Sequence, residues 1–139
     1  MRNVHKKIVL ANGVFDLLHY GHLRHLIAAR NLGDWLVVSV TKDAFVNKGP
    51  GRPVFPEDER REMVEALYVV DKAILVSGAM EALERIKPDI FVKGSDYKDK
   101  IEPEHEEYCR QNNIKIAFTN EPHYSSTKLL HYYDRPGQG

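Results

Sequence analysis

Two histidines three residues apart are the most suggestive group in the chain. His19 and His22 flank Gly21, at the point where an apolar run ends in a turn and apolar residues begin to recur at helical spacing. The pair therefore lies where a predicted strand gives way to a predicted helix. A helix N-terminus in that position offers backbone N–H groups and a positive dipole end to a phosphate. Two imidazoles can add hydrogen bonds, and Gly21 leaves room for close approach.

Other groups suited to phosphate binding follow later in the chain. Lys48 and Arg52 lie in a stretch rich in glycine and proline after the second predicted strand, and Lys93-Gly94 ends the fourth. Ser125, Ser126 and Thr127 precede the last predicted helix, where hydroxyl side chains are first of all N-cap residues. Because a triphosphate carries several negative charges, flexible cations near it would neutralise charge as a bond breaks.

The elements that would position these groups alternate regularly along the chain. Short runs rich in valine and isoleucine indicate strands covered on both faces, and alternation with helices predicts a doubly wound, Rossmann-like α/β domain with a five-stranded parallel sheet. The predicted strands are Lys7–Ala11, Trp35–Val40, Lys72–Val76, Asp89–Val92 and Lys115–Phe118. The predicted helices are Gly21–Leu32, Pro56–Tyr68, Ala79–Ile86, Pro103–Asn112 and Ser126–Tyr133.

Composition limits the classes of function. The 139 residues are 42% hydrophobic, so we expect one domain, 1–139, with a short polar tail at 134–139. With 20 basic and 20 acidic residues the formal net charge is zero, which does not favour bulk capture of nucleic acid or of a membrane surface. No apolar run predicts a membrane span or a signal peptide, so we expect a cytoplasmic protein. Cys109 is the only cysteine and is interpreted as an ordinary helix residue.

The stretch from Gly13 to His22, GVFDLLHYGH, resembles the signature of the cytidylyltransferase-like nucleotidyltransferases. The resemblance implies that His19, His22, Lys48 and Arg60 are catalytic, with Arg60 rather than its neighbour Arg61 as the phosphate ligand and a surface ion pair as the alternative. It further implies a nucleotide-binding set that consists of Gly13, Val14, Phe15, Asp16, Gly21, Lys93, Gly94, Asp96, Ser125, Ser126 and Thr127.

Two segments distinguish the branches of this superfamily. RPVFPEDER, from Arg52, and VKGSDY, from Val92, resemble segments of ADP-heptose synthase. The arginine that glycerol-3-phosphate cytidylyltransferases carry upstream of their serine and threonine motif is absent, since Asn120 lies in that region. The resemblance therefore implies transfer of a nucleotide from ATP to a heptose 1-phosphate with release of pyrophosphate. CTP with glycerol 3-phosphate or another polyol or sugar phosphate is the alternative, and Mg²⁺ and a homodimer are implied in either case.

Two other classes of function are compatible with parts of the pattern. Asp16, His19 and His22 could be ligands in a metal hydrolase, although such an enzyme normally needs a further cluster of histidines or carboxylates. The domain could also bind a nucleotide without turning it over. Retention of both histidines with Lys48 and Arg60 favours an enzyme.

Overall fold

Five parallel strands form one sheet in the order β3-β2-β1-β4-β5. The computed structural model describes residues 6–95 and 98–120. The strands are β1 (Ile8–Gly13), β2 (Trp35–Thr41), β3 (Lys72–Val76), β4 (Ile90–Gly94) and β5 (Lys115–Thr119). All five predicted strands are present, and the parallel pairing confirms the predicted fold class.

Helices connect consecutive strands and cover both faces of the sheet. They are α1 (Tyr20–Arg30), α2 (Glu57–Glu65), α3 (Ala79–Ile86) and α4 (Pro103–Gln111), with a short 3₁₀ helix at Asp43–Phe45. The predicted last helix, Ser126–Tyr133, and the predicted tail at 134–139 lie outside the described residues. Within the described part of the chain, no helix is long and apolar enough to cross a membrane.

Alternation along the strands divides the core into two clusters. Val9 and Ala11 of β1 pack with Leu26 of α1 and Val64 of α2, whereas Leu10 packs on the other face of the sheet. That second cluster contains Leu83 of α3, Cys109 of α4 and Phe91 of β4, and burial raises the pKa of the Cys109 thiol. We call the two sides the α1/α2 face and the α3/α4 face.

The strand order reverses direction between β1 and β4, which are neighbours at the centre of the sheet. The chain builds outward from β1 to β3 on one side and then from β4 to β5 on the other. In open α/β sheets this reversal opens a crevice beyond the carboxyl ends of the central strands, and ligands bind there. The histidine pair follows β1 directly, so it lies at that edge.

The second helix is shorter than predicted. It ends at Glu65, with Ala66 as its C-cap, and the chain then turns through a hydrogen bond from the Leu67 N–H to the Val64 carbonyl. Val70 is nevertheless buried, because the turn returns it to the core. Apolar spacing alone cannot distinguish a last helical turn from a tight turn that buries the same side chains.

Aspartates accept hydrogen bonds from backbone N–H groups at or next to the starts of neighbouring strands, at the amino-terminal edge of the sheet. The carboxylate of Asp34 accepts from the Lys7 N–H at 2.9 Å, Asp71 accepts from Leu36 at 2.8 Å, and Asp89 accepts from Ile8 at 2.8 Å. Each of the three precedes a strand that pairs with the strand it caps. This edge is therefore closed by structural hydrogen bonds.

Replacing Asp71 should lower stability without affecting the opposite edge. Asp71→Ala leaves the Leu36 N–H, on a fully buried residue, without its carboxylate acceptor, which should lower the free energy of unfolding by about 1–2 kcal/mol. Asp71→Asn keeps an amide oxygen as acceptor and should cost less. Urea denaturation of both variants measures the difference. Equal stability of Asp71→Ala and the unaltered protein would contradict the assigned cap.

Candidate active site

His19 and His22 form a reciprocal cap at the start of α1. His19 is the N-cap residue, and its Nδ1 accepts from the Gly21 N–H at 3.1 Å. Nδ1 of His22 accepts from the His19 N–H at 3.2 Å, and the two rings stack with their centroids 3.7 Å apart. Because both Nδ1 atoms are acceptors, each neutral ring carries its proton on Nε2. The predicted pair is thus brought together, with Nε2 as the donor atom of each imidazole.

The environment of His22 keeps its imidazole neutral. Burial, the adjacent His19, and the nearby Lys48 and His25 lower the pKa of His22 to about 3. The edge of the Phe15 ring lies against it, with centroids 5.0 Å apart. At neutral pH His22 is therefore a hydrogen-bond donor without charge, held by backbone contacts and by an aromatic neighbour.

Asp16 is fully buried and anchors a distant segment. Its carboxylate accepts from Arg52 Nε at 2.8 Å and from the backbone N–H groups of Val54 at 2.7 Å and Phe55 at 3.0 Å, and its carbonyl accepts from Arg52 as well. Burial raises the pKa of Asp16, but the hydrogen bonds from Arg52, Val54 and Phe55 outweigh it and lower the pKa. These contacts give Asp16 a positioning role, and its predicted contact with nucleotide stays a prediction. They also leave it unsuited to the metal-ligand role considered above.

The structure does not place Arg60 as a direct phosphate ligand. Its side chain is fully buried, and its guanidinium donates to the Phe55, Val14 and Thr41 carbonyls at 2.7–2.9 Å and to the carboxylate of Asp43 at 2.6 Å. The two adjacent arginines point in different directions, as their positions on the helix predict: Arg60 points inward, whereas Arg61 pairs with Glu65 at 3.2 Å. The inward arginine, however, binds backbone instead of a ligand. We therefore assign Arg60 to positioning of the turn after β1 and of the end of β2.

Lys48 lies in an exposed segment between the anchored residues Asp43 and Arg52. The flanking Gly49 and Gly51 have φ of 93° and 76°, with open space around the position of a Cβ atom. Desolvation and the guanidinium of Arg52 lower the pKa of Lys48, which Asp16 opposes. Lys48 is therefore a cation close to other cations, and a bound polyanion would reduce the electrostatic repulsion between them.

The residues of the first turn have conformational reasons for their identity. A Cβ atom on Gly13 would lie 2.9 Å from two carbons of the Phe15 ring, so only glycine allows that ring to pack there. Phe15 is buried with a left-handed φ of 55°, a conformation that costs a bulky residue about 1–2 kcal/mol. The predicted nucleotide-binding residues Gly13, Val14 and Phe15 thus shape the floor of the crevice.

The predicted residues after the later strands are described only in part. Lys93 and Gly94 end β4 at the same edge of the sheet, with Lys93 Nζ 5.4 Å from the centroid of the Phe91 ring. Asp96, Ser125, Ser126 and Thr127 lie outside the described residues, and their roles stay predictions. Gly21 is buried in the first turn of α1 and contributes its N–H to the histidine cap.

Comparison with known protein families matches residues 10–131 to the family described as cytidylyltransferase-like. The chain belongs to this family. It is therefore a nucleotidyltransferase, as the sequence predicted. The match covers the histidine cap, the segment around Lys48 and all of the sheet except Ile8 and Val9 at the start of β1.

Curated relatives of this nucleotidyltransferase carry two different names. The bifunctional protein HldE of Campylobacter jejuni subsp. doylei is 47% identical over 100 residues, which cover 69% of this chain and 22% of that protein. The FAD synthase of Aciduliprofundum boonei is 43% identical over 123 residues, which cover 87% of this chain and 82% of that protein. The chain thus spans about a fifth of the length of the HldE protein and most of the FAD synthase.

Solved structures share the fold of the nucleotidyltransferase. The lipopolysaccharide core biosynthesis protein from Thermoplasma volcanium matches with a TM-score of 0.73 and 32% identity, over 86% of this chain and 100% of that one. A pantoate-beta-alanine ligase from Francisella tularensis matches with a TM-score of 0.62 at 15% identity, over 87% of this chain and 61% of that one. The second similarity concerns the fold alone.

Sequence reasoning missed several contacts around the site. It gave weight to Arg52 as a cation but did not predict the ion pair with Asp16, 36 residues away. His25, one turn after His22, shares a 2.8 Å hydrogen bond between Nδ1 and the buried Thr119 Oγ1, which ties α1 to the end of β5. Helical spacing places His25 on the same side of α1 as His22, and that spacing was the available signal.

The depressed pKa of His22 should make the nucleotidyltransferase less stable in acid. The folded pKa of about 3 lies below the ordinary value of 6.5, so the unfolded chain binds a proton first as the pH falls. The contribution of neutral His22 to stability is thus complete above pH 6.5 and decreases as the pH falls towards 3. His22→Asn keeps an acceptor for the His19 N–H but does not titrate, so it should lose less stability between pH 7 and pH 5. Urea denaturation at both pH values, with the ring titration followed by NMR, tests this. An equal loss of stability between pH 7 and pH 5 in His22→Asn and in the unaltered protein would contradict this prediction.

Arg60 and Lys48 should respond to substitution in different ways. Arg60→Lys removes the fork that binds several carbonyls inside the protein, so it should lower the free energy of unfolding by about 3 kcal/mol and activity with it. Lys48→Met, at an exposed position, should change stability by less than about 0.5 kcal/mol but reduce pyrophosphate release about tenfold or more. Urea denaturation and a pyrophosphate assay separate the two. A stable, inactive Arg60→Lys would restore a direct role for Arg60.

Proposed function

We propose that the chain transfers AMP from ATP to the phosphate of a small phosphorylated acceptor and releases pyrophosphate. The observation that carries the proposal is the capped pair His19 and His22, two stacked imidazoles with their Nε2 atoms as donors at a helix N-terminus. The cations Lys48 and Arg52 come from the segment that is anchored at the same turn. Neutral donors and nearby cations suit a polyphosphate whose charge shifts during the reaction.

The chemistry needs little from the protein beyond position and charge. An oxygen of the acceptor phosphate attacks the α-phosphorus, the bond from that phosphorus to the bridging oxygen breaks, and pyrophosphate leaves with the electron pair. The acceptor phosphate is already an anion near pH 7, so no strong general base is required. His19 and His22 donate to oxygens of the α-phosphate or the bridge, and Lys48 balances the charge of the leaving group. Ser125, Ser126 and Thr127 would receive the pyrophosphate end.

Mg²⁺ would enter with ATP and would supply charge neutralisation for the phosphates. It usually takes one or two protein carboxylates where phosphates provide other ligands. Asp16 does not suit that task, because its carboxylate already accepts three hydrogen bonds within the protein. We therefore propose a metal held mainly by the nucleotide.

A heptose 1-phosphate is the acceptor we favour. The segments RPVFPEDER and VKGSDY resemble ADP-heptose synthase, and the HldE relatives at 44–47% identity support that branch. The similarity to a lipopolysaccharide core biosynthesis protein agrees with a role in making an activated sugar. The product would then be an ADP-activated heptose.

FMN is the second acceptor to consider, because the FAD synthase relative is similar over most of its own length. Formation of FAD joins AMP to the phosphate of FMN, which is the same adenylyl transfer with a different acceptor. Both candidates require ATP, and this favours ATP over the CTP alternative. The homodimer and the cytoplasmic location stay predictions.

A matrix of nucleotides and acceptors tests the proposal. ATP, CTP, GTP and UTP are each combined with heptose 1-phosphate, other sugar 1-phosphates, glycerol 3-phosphate and FMN, and pyrophosphate release is measured with Mg²⁺. We expect release with ATP and a sugar 1-phosphate, and a loss of about 10² in His22→Ala from removal of one transition-state donor. If pyrophosphate is released from ATP only when FMN is the acceptor, the proposed function becomes FAD synthesis. Release from CTP with glycerol 3-phosphate and not from ATP would overturn the adenylyl assignment.

A further inference from the structure

Three polar residues form a row across the central strands of the sheet. Asn12 of β1 pairs in register with Ser39 of β2, and Lys93 of β4 follows Val92, the partner of Ala11. Side chains alternate along a strand, and Leu10 and Phe91 belong to the cluster under α3 and α4. The row Ser39, Asn12 and Lys93 therefore lies on the α3/α4 face, near the carboxyl ends of the three central strands.

A buried hydroxyl holds the amide of Asn12 in one orientation. Ser39 is fully buried, and its Oγ donates to Asn12 Oδ1 at 2.7 Å. Among the residues that the structure describes, Asn12 Nδ2 makes no hydrogen bond within the protein, and no buried side-chain nitrogen or oxygen lacks a partner. Nδ2 is consequently open to solvent, as a pair of N–H donors with a fixed direction.

The fold does not require this polar pair. Neighbouring positions of β1 and β2 are filled by valine, leucine and alanine, and the burial of a hydroxyl and an amide costs more than burial of apolar groups of that size. The Asn12 amide is held at its oxygen by Ser39, while its half-buried nitrogen can still donate. This arrangement is expected of a side chain that binds a ligand oxygen. The pair is thus best explained by a ligand.

The position of the row indicates which substrate it meets. His22 packs against Phe15, which belongs to the cluster on the α1/α2 face, and Lys48 is influenced by Arg60 of α2 on that same side. In-line displacement places the attacking oxygen opposite the leaving pyrophosphate. If the cations on the α1/α2 side receive the pyrophosphate, the acceptor approaches from the α3/α4 side, where Asn12 and Lys93 lie.

We propose that Asn12, oriented by Ser39, is a specificity-determining residue that donates from Nδ2 to a hydroxyl oxygen of the acceptor. This inference rests on the proposed adenylyl transfer. Ser39 is a positioning residue, because it acts only through the amide, and Lys93 adds positive charge beside an acceptor that carries a phosphate. A hydroxyl next to a phosphate is common to sugar phosphates and to the ribityl chain of FMN, so the inference concerns polyol-type acceptors.

Steady-state kinetics with the acceptor identified for the unaltered protein provide the first test. Asn12→Asp keeps an acceptor for Ser39 but replaces the donor with a negative charge, and should raise the KM for the acceptor about tenfold or more, with the KM for ATP changed less than twofold. Ser39→Ala should raise the acceptor KM about threefold with little change in kcat. Asn113→Asp, an exposed asparagine with a φ of 57° at the amino-terminal edge of β5, is the matched charge control. An unchanged acceptor KM in Asn12→Asp, or an equal rise in the KM for ATP, would overturn the inference.

Binding measured without turnover separates this inference from the proposed function. The side-chain amide resonances of Asn12 are followed by NMR while glucose 1-phosphate, glycerol 3-phosphate, FMN or a non-hydrolysable ATP analogue is added. We expect a polyol phosphate to shift them and Ser39→Ala to weaken that response, even if no combination of substrates releases pyrophosphate. A shift with the ATP analogue alone would assign Asn12 to the nucleotide, and no shift with any ligand would refute a binding role.

Discussion

The buried carboxylate of Asp16 is the contact on which the rest of the candidate site depends. It joins the turn after β1 to residues 52–55, and from there the chain enters α2, whose Arg60 returns to the carbonyls of Val14 and Thr41. Arg60 also donates to the carbonyl of Phe55, so the same hydrogen-bond network includes the segment that Asp16 contacts. Burial of an unpaired charge would cost several kcal/mol. The charges of Asp16 and Arg60 can be buried only because hydrogen bonds surround both side chains. The segment that carries Lys48 is thus held at one end by the ion pair of Arg52 with Asp16 and at the other by the ion pair of Arg60 with Asp43.

In the proposed mechanism, the histidine cap stabilises the charge that develops in the transition state, whereas other groups attract the nucleotide. A protonated imidazole would already attract the triphosphate strongly in the ground state, and attraction that is equal in the ground state and the transition state lowers KM without raising kcat. A neutral Nε2 donor, held by its own Nδ1 contact with the backbone, gains most when negative charge moves onto the oxygen that it contacts. In the proposed mechanism, attraction of the nucleotide is then left to the exposed Lys48, because the side chain of Arg52 is buried against Asp16. The low pKa of His22 is therefore consistent with its use as a fixed donor.

The sequence predicted the strands, the α/β class and the histidine pair because each depends on local spacing. It did not predict that His19 and His22 cap each other, since histidine is not a favoured N-cap residue and the contact requires their stacked geometry. The partners of Arg60 within the protein were not predicted for a different reason. The helical offset gave the correct inward residue, but its partners come from segments up to 46 residues away, and spacing within one helix carries no information on them. Polar residues inside apolar strands, as at Asn12 and Ser39, were a readable signal that went unused.

The two faces of the sheet explain how relatives with different names can share so much sequence. The groups proposed to bind the triphosphate lie at the turn after β1 and in the segment that carries Lys48, and the contacts of Asp16 hold that turn and that segment together. On the proposed α3/α4 side, the acceptor meets side chains that the core does not require. A single hydrogen bond that is unpaired with the wrong substrate is enough to discriminate strongly between acceptors. Identity of 43–47% to an FAD synthase and to HldE proteins is therefore compatible with either acceptor, because the residues that choose it are a small part of the shared sequence.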